Sequence, residues 1–174
     1  MIRNLVISGG GIKIIALIGV IKYLEENNML SNISNFYGTS AGSILSLLII
    51  LNYSSSEIIS FIESFSLEKI FIINTDDFFD NLSICNNYKF KKLIKLFIKF
   101  KVNNENITLN DLFLLTNKNL TLTSVSLKLK QAIYINYLSH PHLPVYKAIM
   151  MSCSIHVIFK PIEWENDFFI DGVL

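Results

Sequence analysis

Two glycine-rich turns constrain the fold of this chain more than any other feature of its sequence. The turn GGGIK (9–13) follows the β-prone run IRNLVIS (2–8) and leads into apolar residues at helical spacing over 13–28. The turn GTSAG (38–42) follows a second short extended piece and leads into the apolar run 41–51. A strand, a tight turn and a helix, repeated in succession, are typical of an α/β sheet.

The rest of the chain continues this alternation. Ser54–Glu57 and Thr108–Asp111 have the form of capping boxes, which begin helices. Periodicity predicts strands over 120–127 and 131–138, a helix over 145–152 and a final strand in FFIDG (168–172). A chain of 174 residues suits one domain. We therefore predict a single domain over 1–174 with an α/β fold, in which helices cover both faces of a mostly parallel sheet.

Composition and charge exclude several classes of protein. Hydrophobic residues make up 51% of the chain and charged residues 17%, which excludes wholesale disorder. The net charge of +1 gives no overall field that would attract nucleic acid, and the sequence carries no nucleic-acid motif. Cys85 and Cys153 stand far apart with no metal-ligand spacing around them, so we expect two reduced thiols and no metal site.

The sequence gives no sign of a targeting or membrane-spanning segment. The apolar stretch Leu5–Ile7 is too short for the hydrophobic part of a signal peptide. The longest apolar run, 41–53, is shorter than the roughly 20 residues that span a bilayer. We expect an intracellular protein, either cytoplasmic or peripherally associated with a membrane.

The serine of GTSAG is the first candidate catalytic residue. Gly38 and Gly42, on either side of Ser40, permit a sharp strand-to-helix turn that pushes the serine outward. A helix that starts there directs free N–H groups and its positive dipole end toward charge developing on a substrate. G-x-S-x-G also occurs in ordinary turns, but its place between a strand and a helix favours a nucleophile for acyl transfer.

The earlier glycine turn has three interpretations. A dinucleotide-binding fingerprint needs G-x-G-x-x-G, and Ile14 stands at the third glycine position. A phosphate-binding loop of the Walker type cannot be written here. The third interpretation is an oxyanion hole, in which Gly9, Gly10 and Gly11 present backbone N–H groups at a helix start. With Ser40 nearby we favour the oxyanion hole.

The serine hydroxyl needs a base to become a nucleophile. A triad of Ser40, Asp111 and His140 or His142 has the chain order of α/β hydrolases, but Asp111 lies in a predicted helix cap. A carboxylate can serve instead if partial desolvation raises its pKa. Asp171, at the end of the last predicted strand, is placed for that role, although Asp-Gly after a strand is often only a turn.

These motifs occur together in one family. GGGIK (9–13), GTSAG (38–42) and DG (171–172), the last preceded by KAIMMSCSIHVIFKPI (147–162), resemble the patatin-like phospholipase family in their order and separation. The resemblance covers nearly the whole chain. It implies a three-layer α/β/α fold and a Ser–Asp dyad without histidine. It also implies hydrolysis of phospholipids or other acyl-ester lipids, with no cofactor and no metal.

The resemblance implies a role for each matching residue. Ser40 is the expected nucleophile, and Asp171 is the expected general base. The expected oxyanion loop is Gly9, Gly10 and Gly11, and the expected motif-supporting residues are Lys13, Gly38, Gly42 and Gly172.

The chain departs from the family pattern in several places. Ile14 stands where the family usually has glycine, His156 where it has proline, and Val173 replaces the Gly or Ala of D-G-[GA]. The chain also stops at Leu174, where the family continues, so we expect a C-terminally truncated domain. These departures leave an alternative, a catalytically impaired lipid-binding or interaction protein on the same fold.

A basic amphipathic segment, KFKKLIKLFIKFK (89–101), supports a further hypothesis. On a helical wheel its lysines gather on one side, and the other side carries Phe90, Leu93, Ile94, Phe97 and Ile98. Such a helix can lie in an anionic lipid interface with its apolar face submerged, which would give a peripheral membrane contact. The alternative is a surface helix that packs the same face on the core of the domain.

Overall fold

The fold is built around one mixed β-sheet, seen in a computed structural model that describes residues 2–64, 87–156 and 158–173. The strands are β1 (Asn4–Ile7), β2 (Asn35–Thr39), β3 (Asn119–Ser126), β4 (Gln131–Ile135), β5 (Ile162–Trp164) and β6 (Asp167–Asp171). The α-helices are α1 (Leu17–Glu26), α2 (Ala41–Ile50), α3 (Ser55–Ser64), α4 (Asn87–Val102), α5 (Leu109–Thr116) and α6 (Val145–Cys153). Short 3₁₀ helices cover Gly11–Ala16 and Leu30–Asn32.

The first half of the sheet is parallel and the second half is antiparallel. β1 pairs with β2, and β2 with β3, in parallel, as the two strand–turn–helix units require. β3 pairs antiparallel with both β4 and β6, and β5 pairs antiparallel with β6. Short connections produce the β3–β4 and β5–β6 pairings, because a chain reversal of a few residues can join only antiparallel strands. The predicted α/β fold is confirmed, with a sheet that is mixed.

One edge of β3 pairs with two strands in succession, first with β2 and then with β6. Leu122 pairs with Gly38 of β2 and with Ile135 of β4, so these two strands lie on opposite edges of β3. Ser124 pairs with β4 as well and with Asp171 of β6, which places β6 on the β2 edge. β2 and β6 therefore lie in line along one edge of β3, and their C-terminal ends point toward each other.

Helices bury one face of the sheet. Helix α2 packs on β2, and α6 packs on β3 and β6. The sheet residues under these helices are the buried Ile7, Phe36, Leu120, Leu122 and Ile135. Side chains that alternate with them project from the other face and are exposed, among them Val6, Tyr37, Tyr134 and Phe168.

Helix α4 packs its apolar face on the core of the domain. Phe90, Ile94, Phe97 and Ile98 are all buried. The hypothesis that this face is submerged in lipid is therefore wrong, and the alternative of core packing is confirmed. The apolar stripe is buried because it closes the hydrophobic core that α2 and α3 begin. In the described part of the chain, no helix is both long enough and apolar enough to cross a membrane.

Candidate active site

Ser40 occupies a sharp turn between β2 and α2. Its backbone has φ 54° and ψ −128°, a conformation that residues with side chains rarely adopt. Neighbouring backbone, from α2 at Gly38 and from β1 at Gly42, lies so close that no Cβ fits at the two flanking glycines. A Cβ on Gly38 would lie 2.5 Å from Ser43 Cα, and one on Gly42 would lie 2.2 Å from the carbonyl oxygen of Ile7. The two glycines are thus required by contact distances, and Ser40 is held at the apex.

The sheet register brings Asp171 to the same place. Thr39, which precedes Ser40, pairs with Thr123 of β3, and Asp171 pairs with the next residue, Ser124. The ends of β2 and β6 therefore meet one residue apart along β3. Gly172 allows the chain to leave at this point, since a Cβ there would lie 2.5 Å from the Thr123 carbonyl oxygen.

The Asp171 carboxyl group is buried and only half satisfied. Its exposed fraction is 2%, and Oδ1 accepts a hydrogen bond from the Val173 N–H at 2.9 Å. Oδ2 is buried and has no hydrogen-bond partner among the described residues. Burial raises the pKa of Asp171, and the Ser40 hydroxyl and the Val173 N–H partly oppose this rise. The group is therefore a carboxylate with an unpaired oxygen and an increased affinity for a proton.

The glycine loop lies against Ser40. A Cβ placed on Gly9 would be 3.2 Å from Ser40 Cβ and 2.8 Å from Val173 Cγ2. Gly11 has φ +52°, which turns the loop into the 3₁₀ helix that begins there. Within the described residues, the N–H groups of Gly9, Gly10 and Gly11 donate no hydrogen bond to the protein. An oxyanion hole needs unpaired donors of this kind next to the serine.

The side chain of Lys13 takes no visible part in the site. Its backbone N–H donates to the Gly10 carbonyl at 3.1 Å, which starts the 3₁₀ helix. The residue is exposed and forms no ion pair within the described part of the chain.

Two buried serines hold the backbone of Ser40. The Ser40 N–H donates to Ser152 Oγ at 3.0 Å, and the Ser40 carbonyl accepts hydrogen bonds from the N–H and hydroxyl of Ser43. Ser43 and Ser152 are both fully buried. Sequence reasoning did not identify either residue. Ser43 lies in an apolar helix, and Ser152 is 112 residues away from Ser40 in the chain.

An apolar cavity of about 670 Å³ opens beside Ser40. Its walls come from the 3₁₀ helix and from α1 to α4, together with the segment after α6. Residues that line it include Ser40, Ala41, Ile12, Ile15, Ile44, Leu48, Phe61, Phe90, Leu93, Phe97, Cys153, Ile155 and Phe159. A volume of this size with such walls suits a hydrocarbon chain whose polar end lies at the serine.

Cys153 borders the cavity but is not an activated thiol. It is a free cysteine and fully buried, and burial raises its pKa to about 12. The group therefore stays protonated at neutral pH, which agrees with the expected reduced thiol. Cys85 lies outside the described residues.

The alternative triad is not assembled. The Asp111 carboxylate accepts from the Thr108 N–H at 2.9 Å in a capping box at the start of α5, as the sequence predicted. His140 Nδ1 lies 2.9 Å from the Ser139 hydroxyl, and burial lowers the pKa of this histidine. Neither His140 nor His142 lines the cavity beside Ser40. Among the described residues, no cluster of His, Cys, Asp and Glu has the arrangement of a metal site.

Comparison with known proteins finds one matching family model. The family model described as patatin-like phospholipase matches residues 5–174. The chain is 28% identical over 176 residues to the probable lipid hydrolase 463L of Invertebrate iridescent virus 6, covering 98% of this chain and 59% of that protein. It is 29% identical over 174 residues to the uncharacterized protein YqhO of Bacillus subtilis (strain 168), covering 93% of this chain and 58% of that protein. The chain thus spans less than two thirds of these relatives.

Solved structures share the fold. VipD from Legionella pneumophila superposes with a TM-score of 0.73 at 18% identity, over 98% of this chain and 45% of that one. ExoU in its heterodimeric complex with SpcU, from Pseudomonas aeruginosa, superposes with a TM-score of 0.69 at 21% identity, over 89% of this chain and 36% of that one.

Proposed function

The chain belongs to the patatin-like phospholipase family, and on that premise we propose that it is a serine hydrolase of acyl-ester lipids. Ser40 is the nucleophile and Asp171 is the general base, so that the two form a catalytic dyad. Gly9, Gly10 and Gly11 form the oxyanion hole. The substrate class is a phospholipid, a lysophospholipid or another lipid with an acyl ester.

The observation that carries the proposal is the meeting of two buried groups at the ends of β2 and β6. The unpaired Oδ2 of Asp171 supports its role as the base. The Ser40 hydroxyl lies close enough to lower the pKa of this carboxyl group, which supports its role as the nucleophile. The apolar cavity beside them supports a lipid acyl chain as the group transferred. The name of the viral relative, a probable lipid hydrolase, agrees with this substrate class.

The proposed reaction has two steps. Asp171 accepts the proton of the Ser40 hydroxyl while Oγ attacks the ester carbonyl carbon, and the free N–H groups of the loop stabilise the resulting oxyanion. The oxyanion collapses, the alcohol leaves with the proton from Asp171, and an acyl-enzyme ester remains on Ser40. Water then attacks this ester with Asp171 again as the base, which releases the fatty acid and restores the serine.

We also propose peripheral membrane contact through 89–101, by the face of α4 that is turned to solvent. Its lysines Lys89, Lys92 and Lys99 are exposed and form no ion pair within the described residues. Leu96 and Phe100 project between them, with exposed fractions of 38% and 75%. Lysines around exposed apolar side chains suit an anionic lipid surface.

One observation favours a second candidate, a catalytically impaired lipid-binding protein. Val173 stands where the family has Gly or Ala, and its Cγ2 occupies the space next to Gly9. A larger side chain against the oxyanion loop can restrict the movement or the access that the reaction needs. The same apolar cavity would then bind a lipid without cleaving it.

Substitution of Ser40 and Asp171 distinguishes a serine hydrolase from a lipid-binding protein. We expect Ser40→Ala and Asp171→Asn each to abolish hydrolysis of a short acyl ester, because the first removes the nucleophile and the second the base. His140→Ala and His142→Ala should leave the rate nearly unchanged. Lipid that co-purifies with an inactive parent protein would favour the binding protein. A loss in either histidine variant with little loss in Asp171→Asn would contradict the dyad.

A further inference from the structure

The C-terminal end of α6 contacts both members of the dyad by separate hydrogen bonds. Ser152 Oγ accepts a hydrogen bond from the N–H of Ser40 at 3.0 Å. Two residues later, the carbonyl of Ser154 accepts a hydrogen bond from the N–H of Asp171 at 2.9 Å. One short segment, Ser152–Ser154, therefore connects the turn after β2 to the end of β6.

The bond to Ser152 acts on the most constrained residue of the site. Ser40 has φ 54° and ψ −128°, and only contacts with its surroundings can maintain such a backbone. The side chain of Ser40 is directed by this backbone, so a rotation of the peptide moves Oγ relative to Asp171 and to the glycine loop. Ser43 fixes the carbonyl side of Ser40, and Ser152 fixes the N–H side.

The bond also determines which N–H groups can bind an oxyanion. Because the Ser40 N–H is directed to Ser152, it is not available to the substrate. The N–H groups of Gly9, Gly10 and Gly11 remain unpaired within the described residues. The N–H groups that can bind the oxyanion are therefore those of the glycine loop, and the N–H of Ser40 is not one of them.

We propose that Ser152 is a positioning residue for the hydrolysis, which sets the Ser40 hydroxyl in line with Asp171. The proposal rests on the proposed function of Ser40 and Asp171. Ser152 does not touch the substrate or the reacting atoms, and it acts through the backbone of the nucleophile. The Ser154 carbonyl accepts from the Asp171 N–H at the same helix end, so the separation of nucleophile and base depends on one short segment.

Ser154 offers a matched control. It lies on the same helix end, has an exposed fraction of 2%, and its hydroxyl donates to the Met150 carbonyl at 2.7 Å. Its side chain forms no hydrogen bond with Ser40 or Asp171 in the described structure, and the backbone carbonyl that accepts from Asp171 survives a change to alanine. Ser154→Ala thus reproduces the loss of one buried hydroxyl without changing a contact of the turn at Ser40.

The test compares Ser152→Ala with Ser154→Ala and the parent protein. We expect Ser152→Ala to lower kcat for a soluble short acyl ester by about tenfold or more, because small misplacements of reacting groups have effects of this size. KM should change by less than about twofold, and the pH midpoint of kcat should stay in place, because Asp171 keeps its own contacts. Hydrogen exchange at the Ser40 amide should accelerate about tenfold in Ser152→Ala only.

Two results would overturn the proposal: a kcat for Ser152→Ala within about twofold of the parent, or an equal loss in Ser154→Ala. If the parent shows no hydrolysis that depends on Ser40, the proposed function fails, and the exchange rate still tests the anchoring of the turn. Loss of protection at the Ser40 amide in Ser152→Ala alone would support that anchoring. Equal exchange in both variants would refute it.

Discussion

At the scale of single residues, the site contains two features that destabilise the folded state. Asp171 is a buried carboxyl group with one unpaired oxygen, and Ser40 has a backbone conformation that favours glycine. Both features are costly to the folded state. Their coincidence at the meeting point of two strands is what a nucleophile and a base need, and this is the physical reason for assigning them a function.

The pKa of Asp171 leads to a prediction for stability. Because burial raises the pKa in the folded protein, the folded state binds the proton more tightly than the unfolded state does. The stabilisation from the protonated group is complete below the unfolded pKa and is lost as the pH rises through the folded value. We therefore expect Asp171→Asn, which cannot ionise, to have a higher Tm than the parent at pH about 7.

This difference in Tm should shrink as the solution is made more acidic, because the parent then carries the proton too. Thermal unfolding followed by circular dichroism at neutral and acidic pH measures it. An Asp171→Asn protein that is less stable than the parent at neutral pH would show that the carboxylate makes net favourable contacts. The interpretation of the unpaired oxygen would then be wrong.

At the scale of elements, much of the chain follows from local sequence. The capping boxes at Ser54–Glu57 and Thr108–Asp111 both form, and they begin α3 and α5. The apolar run after Ser40 becomes α2, whose residues are buried on nearly all sides. The predicted helix over 13–28 instead divides into a 3₁₀ segment, Gly11–Ala16, and α1, because the loop residue Gly11 starts a tighter turn.

Other features of the elements depend on contacts that local sequence does not contain. The face of α4 has the same pattern whether lipid or protein covers it, and only the packed structure decides between them. Strand β5 consists of three residues and carries too short a pattern to predict. Its antiparallel pairing with β6 follows from the tight reversal between Trp164 and Asp167, in which Glu165 and Asn166 have positive φ.

Two helical glycines give opposite predictions for the same substitution. A Cβ on Gly42 in α2 would lie 2.2 Å from the Ile7 carbonyl oxygen, whereas one on Gly19 in α1 meets nothing within 4 Å. Gly42→Ala should cost about 1–3 kcal/mol in the free energy of unfolding, as overpacking does. Gly19→Ala should gain about 0.5–1 kcal/mol through helix propensity.

Urea titrations of the two variants and the parent measure these changes. A neutral or stabilising effect of Gly42→Ala would mean that α2 can move away from β1 without cost. In that case the close approach would not be what fixes the turn at Ser40.

At the scale of the whole molecule, the site is assembled from distant parts of the chain. The motifs around Gly9, Ser40 and Asp171 are recognisable in the sequence, because each has a local signature of glycines. The contribution of Ser152 has no such signature, since it depends on where α6 ends relative to β2. The head-to-head approach of β2 and β6 also depends on pairing along β3, which no local pattern reveals.

The described surface of α4 leads to a prediction for membrane binding. Each lysine near an anionic surface contributes on the order of 1 kcal/mol, screened by salt. Replacement of Lys89, Lys92 and Lys99 by glutamine should therefore weaken binding to vesicles that contain anionic lipid by about tenfold or more at low salt. Hydrolysis of a soluble ester should be unchanged, because these side chains lie on the face of α4 away from the core.

A control variant removes the same charge elsewhere, by Lys22→Gln, Lys128→Gln and Lys130→Gln. These lysines are exposed and lie on other elements. Vesicle sedimentation at low and high salt compares the three proteins. Equal weakening in both variants would assign the effect to net charge, and binding that is insensitive to salt would exclude α4 as the contact surface.

A fluorophosphonate probe, followed by intact-protein mass measurement and peptide mapping, tests whether Ser40 is an activated nucleophile. We expect one adduct per chain, located on Ser40, absent in Ser40→Ala and formed more slowly in Asp171→Asn. An adduct that persists in Ser40→Ala would contradict the claim, and so would the absence of any adduct on a folded parent protein.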